Sequence, residues 1–126
     1  MIAGTYNMTI EQGSTFGRLI SVEQPDLATD PTGATFEPFL LNGYTARMQI
    51  RRNVDSSTAM LSLTTENGGI TINPGTEDNE IKLSITATNT ALLTSDGVYD
   101  LEIIDPLGEV SKVIRGTVTV IPEVTR

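Results

Sequence analysis

Through most of this chain apolar residues return at every second position, the repeat of a strand with one face buried and the other in water. Tyr6, Met8 and Ile10 alternate with Asn7, Thr9 and Glu11. Tyr44, Ala46, Met48 and Ile50 alternate with Thr45, Arg47, Gln49 and Arg51. The same beat recurs at Ile81, Leu83 and Ile85, and again at Tyr99, Leu101 and Ile103 against Asp100 and Glu102. Chemically suited turns separate these runs: Gln12-Gly13-Ser14, Asn42-Gly43, Glu66-Asn67-Gly68-Gly69, Asn73-Pro74-Gly75 and Asp105-Pro106-Leu107-Gly108. Helical spacing is confined to Thr86 to Thr94, where Ala87, Ala91 and Leu92 can share a face and Thr86 or Thr88 can cap the start.

Strands of this length, spaced by turns and without an ordinary amphipathic helix, predict an all-β fold. The expected architecture is an antiparallel two-sheet immunoglobulin-like β-sandwich of about 7–9 strands with one short helical turn; a closed barrel is the alternative. Tyr99 stands where such sandwiches place a corner tyrosine, with Leu101 in the slot of the disulfide cysteine. Val98 to Ile104 and Val110 to Ile121 should form a hairpin around the Pro106 turn. Phe16, Ile20 and Val22 share a parity that Arg18 breaks, which predicts a bulge or an edge strand.

Length and composition narrow the chemistry. The 126 residues fit one domain, and 19 threonines suit strands with wet faces. A net charge of -8 argues against nucleic acid and anionic membranes as partners. With neither Cys nor His, thiol and imidazole catalysis, disulfides and zinc fingers are excluded. No apolar run reaches membrane-spanning length and no basic, apolar leader opens the sequence, so synthesis in a cytoplasm is expected. Asp100 and Glu102 lie on a solvated strand parity, which favours a wet acidic face over a catalytic carboxylate pair. The acidic run Thr76 to Glu80 lacks the spacing of an EF-hand. No enzyme activity, cofactor or metal is expected.

Two features remain as candidate partner contacts. From residue 24 to 43 the alternation fails: Pro25, Pro31, Pro38 and Gly33 make a long irregular loop or insertion with room for a short hairpin. It carries Phe36, Phe39, Leu40 and Leu41, which either fold back over the open end of the sandwich or dock into a partner. Arg47, Arg51 and Arg52 form a small basic patch in an acidic protein, suited to carboxylates on neighbouring strands or on another subunit.

The strand and turn wording resembles a known family. Leu41-Asn42-Gly43-Tyr44-Thr45-Ala46-Arg47-Met48-Gln49-Ile50-Arg51, Leu63-Thr64-Thr65-Glu66-Asn67-Gly68-Gly69-Ile70, Gly97-Val98-Tyr99-Asp100-Leu101-Glu102 and Gly116-Thr117-Val118-Thr119-Val120 are similar to small virion proteins of tailed bacteriophages, in particular the immunoglobulin-like N-terminal domain of phage baseplate upper proteins. The resemblance runs from about Tyr6 to Arg126, and the stretch Pro25 to Leu41 is longer and more apolar than the family pattern. It implies a non-enzymatic structural protein of the virion, made in the host cytoplasm and acting in a tail, baseplate or tail-fibre attachment. Its implied partners are other virion proteins and copies of itself. A capsid decoration protein is the alternative; a carbohydrate-binding adhesin fits less well, because the chain has no Trp and only three Tyr.

Overall fold

The computed structural model describes residues 3–126. Alternation becomes two facing sheets. The larger contains β1 (Gly4–Thr5), β2 (Met8–Glu11), β6 (Thr45–Arg51), β7 (Leu61–Thr64), β10 (Gly97–Ile104) and β11 (Val110–Ile121), ordered β1-β11-β10-β6-β7 with β2 also on β11. The smaller is β3 (Phe16–Ser21), β9 (Glu80–Ile85) and β8 (Ile70–Ile72), in the order β3-β9-β8. A separate ribbon pairs β4 (Glu23–Pro25) with β5 (Phe36–Pro38). A single helical turn, α1 (Ala87–Thr90), crosses from β9 to β10. This is an immunoglobulin-like β-sandwich: β3, β9 and β8 stand as strands B, E and D, and β11, β10, β6 and β7 as G, F, C and an added C′.

The period of two decides what is inside. In β10, Gly97, Tyr99, Leu101 and Ile103 are buried while Val98, Asp100, Glu102 and Ile104 are only half covered; in β6, Ala46, Met48 and Ile50 point inward. These residues meet Ile81, Leu83, Ile85 and Ile70 of the opposite sheet in one continuous core with Met8, Ile10 and Val118. The Asp105 turn closes the β10–β11 hairpin: Gly108 takes φ +90°, and the Asp105 carboxylate accepts from the backbone N–H of Leu107 and Glu109.

Several details differ from the sequence expectation. Among the described residues there are eleven strands, two more than expected, because the N-terminal strand is split and the 24–43 insertion contributes a pair. The sheets are not wholly antiparallel: β1 and β2 both run parallel to β11. At the break between them the Asn7 side chain accepts from Thr117 N–H at 3.0 Å, and the Tyr6 carbonyl passes so close to Gly116 that a Cβ there would lie 2.2 Å from it. Tyr99 is buried as a corner tyrosine should be, but its hydroxyl donates to the Tyr6 carbonyl at 2.5 Å rather than to the backbone just upstream of its own strand. Thr86 caps α1 as expected. The buried side of the crossover, however, is Thr90 and Leu93, while Ala91 and Leu92 face solvent. Thr90 is held by the turn after β2, donating to Ser14 O at 2.8 Å and accepting from Gly13 N–H at 3.0 Å.

Because β1 and β2 pair with β11, no strand among the described residues covers the outer side of β3. Ser84 N–H bonds Gly69 O and Asn73 N–H bonds Glu80 O, so these residues of β9 face β8. Ile81, Leu83 and Ile85 therefore bond Ile20, Arg18 and Phe16, and the backbone groups of Gly17, Leu19 and Ser21 are left at an open edge. The parity break at Arg18 is thus an edge position: its guanidinium lies over the rings of Phe16 and Tyr6, 5.3 and 6.0 Å from the centroids.

Candidate interaction surface

The 24–43 insertion is more ordered than its prolines suggest. Pro25 and Pro38 sit at ends of the β4–β5 ribbon, where a missing N–H costs no ladder bond in a central strand. Beyond the strands, Asp26 N–H bonds Thr35 O and Asp30 N–H bonds Asp26 O. The Asp30 carboxylate accepts from Thr32 N–H, the Thr32 hydroxyl and the Thr35 hydroxyl, and these bonds hold its pKa below the usual carboxylate range. At the root, Val22 O accepts from both Phe39 N–H and the buried Asn79 side-chain amide, while Leu41 N–H donates to Asp78 O. The acidic run Thr76 to Glu80 therefore clamps the insertion to the body.

The four candidate residues of the insertion divide into two pairs. Leu41 is 0% exposed and belongs to the core, which corrects its reading as a partner contact: its N–H is fixed by Asp78 and its side chain has no surface to offer. Phe39 packs on the core and meets Tyr44 edge to face, with ring centroids 5.9 Å apart. Phe36 and Leu40, by contrast, are 57% and 59% exposed. Ribbon register puts Glu23 opposite Pro38 and Pro25 opposite Phe36, so these four share the exposed face, and Gln24 with Glu37 occupies the half-buried one. Leu27, beside the tip near Gly33, is a further exposed apolar residue, at 60% exposure; its only sequence signal is an apolar residue between turn formers.

The basic candidates lie on the outer face of the larger sheet, but not all together. Arg47 Nε bonds Glu102 Oε1 at 2.7 Å, across the β6–β10 pair where the two residues are in register. Lys112 completes the network, with Nζ 3.0 Å from Asp100 Oδ2 and 2.5 Å from Glu102 Oε2. The Lys112 hydrogen bond lowers the Glu102 pKa against the opposing effect of burial, and Arg47 adds to it. Burial works against the Lys112 charge, but its bonds to Glu102 and Asp100 outweigh that and raise its pKa. Arg51 instead donates to the Ser56 carbonyl at 2.8 Å and the Gln49 side chain at 2.7 Å. Arg52 leaves the strand and lines a separate depression with residues 56–60. Arg47, Arg51, Lys112 and Arg115 thus share one face, and Arg52 stands apart. Lys112 and Arg115 were not among the sequence candidates; opposite charge at outward positions of β10 was the available signal.

Along this face runs an open groove of about 760 Å³, with Arg51, Lys112 and Arg115 as its cations, Asp100 and Glu102 as its acids, and Val54 and Val98 among its apolar lining. No residue of the β4–β5 ribbon lines it. The outer face of the larger sheet thus carries a groove of mixed charge, and the ribbon carries an exposed apolar face.

No protein-family model matches the chain, and no curated protein matches it. Among solved structures, the Drosophila OTK extracellular domains 3-5 are similar at 13% identity and a TM-score of 0.37, over 95% of this chain and 35% of that one. The chain spans about a third of the length of that structure.

Proposed function

We propose that this chain is a non-enzymatic structural component of a tailed-phage virion, a tail, baseplate or tail-fibre attachment part that works through protein–protein contacts. The observation that carries the proposal is the β4–β5 ribbon: its root is built into the core through Val22 and Leu41, and its exposed face presents Phe36 between prolines. A phenyl ring on a rigid two-stranded support loses little freedom when a partner covers it, which is how interface anchors gain their leverage. The resemblance of the strands to phage baseplate domains supplies the setting. In it, a rigid sandwich repeated in many copies contributes shape and contact area.

The test is incorporation. Particles assembled with Phe36→Ser in place of the natural chain should lack the protein, although the purified variant keeps its thermal midpoint. A variant that incorporates normally removes the ribbon from the interface. Electron microscopy of labelled natural particles should show density on the tail; a label spread over the head lattice would establish capsid decoration, and turnover of a polysaccharide by the purified chain would overturn the structural role.

A further inference from the structure

We propose that the groove on the outer face of the larger sheet receives the β4–β5 ribbon of a second copy of this chain, in a head-to-tail contact. The proposal rests on the assembly role above and names a partner for it. Charge carries it. From residue 20 to 46 the sequence holds no Lys or Arg, and the ribbon and its tip bear Glu23, Asp26, Asp30 and Glu37. Glu77, Asp78 and Glu80 belong to the segment that clamps the ribbon's root. Four of the eight basic residues, Arg47, Arg51, Lys112 and Arg115, lie instead on the outer face of the larger sheet. Among the described residues Arg51 and Arg115 have no carboxylate partner.

This segregation decides which surfaces can meet. Ribbon against ribbon opposes acids to acids and is repulsive; groove against groove sets Arg51 and Arg115 against their own copies, and the groove's acids, Asp100 and Glu102, are already engaged by Lys112 and Arg47. Ribbon against groove matches Glu23 and its neighbours to the two guanidiniums without carboxylate partners, and gives Phe36 the apolar lining at Val54 and Val98. The two patches differ, so the contact is heterologous and leaves a free groove at one end and a free ribbon at the other, from which a ring or a row can grow.

Sedimentation of the full chain at graded concentrations provides the test. Mass should rise with concentration in about 20 mM salt, and association should weaken at least about tenfold in about 500 mM salt as the charges are screened. Arg51→Glu with Arg115→Glu disables the groove, and Phe36→Ser with Glu23→Lys disables the ribbon; each protein alone should be monomeric. Mixed, they should form a one-to-one pair that does not grow, because one intact ribbon meets one intact groove. Should the charge-reversed groove lower the thermal midpoint, Arg51→Gln with Arg115→Gln serves in its place. A wild-type chain that stays monomeric at about 1 mM in low salt, or disabled variants that fail to pair, would overturn the contact. If such a monomeric chain still enters particles in a Phe36-dependent way, the assembly role stands without this contact. Self-association by a chain absent from particles would defeat the assembly role alone.

Discussion

The β10–β11 and β4–β5 pairs are both antiparallel and both closed by a loop with an aspartate at its heart, yet they are held by opposite means. In β10, Tyr99, Leu101 and Ile103 are buried in the core, and the loop from Asp105 to Gly108 adds only a neat reversal. In the ribbon every side chain of the paired strands is exposed or half exposed, so its order comes from hydrogen bonds at the tip and from a root set in the body. Burial makes the first pair part of the foundation. Polar fastening leaves the apolar face of the second free for use.

The largest expected effect tests where the ribbon ends and the foundation begins. Leu101→Ala and Leu41→Ala should each cost about 2–5 kcal/mol in denaturant unfolding, since both side chains are wholly buried. A small loss at Leu41 would return it to the loop. Next comes the clamp: Asn79→Ala removes one of the two donors to the Val22 carbonyl and should cost about 1–3 kcal/mol, with faster amide exchange across the ribbon than across β10–β11. Uniform acceleration in both pairs would mean that the ribbon unfolds only with the body.

The smallest effects are set by pH. Burial, with a lesser contribution from Tyr6, pushes the Tyr99 hydroxyl up to about 12, above the value of about 10 for a tyrosine in an unfolded chain. Its contribution to stability is complete below about pH 10 and is lost as pH rises toward 12, because only the neutral hydroxyl can donate to Tyr6 O. Absorbance titration should show this tyrosinate forming late, and a normal midpoint for Tyr99 would separate the N-terminal strand from β10. Glu102 has the opposite sign: its lowered pKa stabilises the fold above the ordinary carboxylate range and the gain disappears as pH falls through the folded value. Glu102→Gln should therefore cost under about 1 kcal/mol near neutrality and nothing in acid, as for other half-exposed ion pairs.

How much of this was legible follows from how local each cause is. The faces of β6, β9 and β10 could be read because alternation is written along each strand. The parallel seating of β1 and β2 on β11 could not, since Gly4 pairs with Ile114 and Met8 with Val118 at the far end of the chain. Leu41 looked like its neighbour Leu40 because no repeat surrounds either; Leu41 turns inward where its N–H donates to Asp78 O, far along the chain, and its carbonyl accepts from Tyr44 N–H. Between Pro25 and Pro38 the sequence left room for a short hairpin but not its register, which only the cross-strand pairs define. In the basic patch, residue type marked Arg47, Arg51 and Arg52 alike. Strand parity separated Arg52 from the other two, and cross-strand register added Lys112 and Arg115.

Arg18 has a further consequence for the open edge of β3. A foreign strand zipping onto Gly17, Leu19 and Ser21 would have to strip water from the guanidinium that rests on Phe16 and Tyr6, and would offer it no counter-ion in return. The open seam along β3 in the small sheet is in this way guarded by a charge against fibre growth, as a latch guards an unhemmed border.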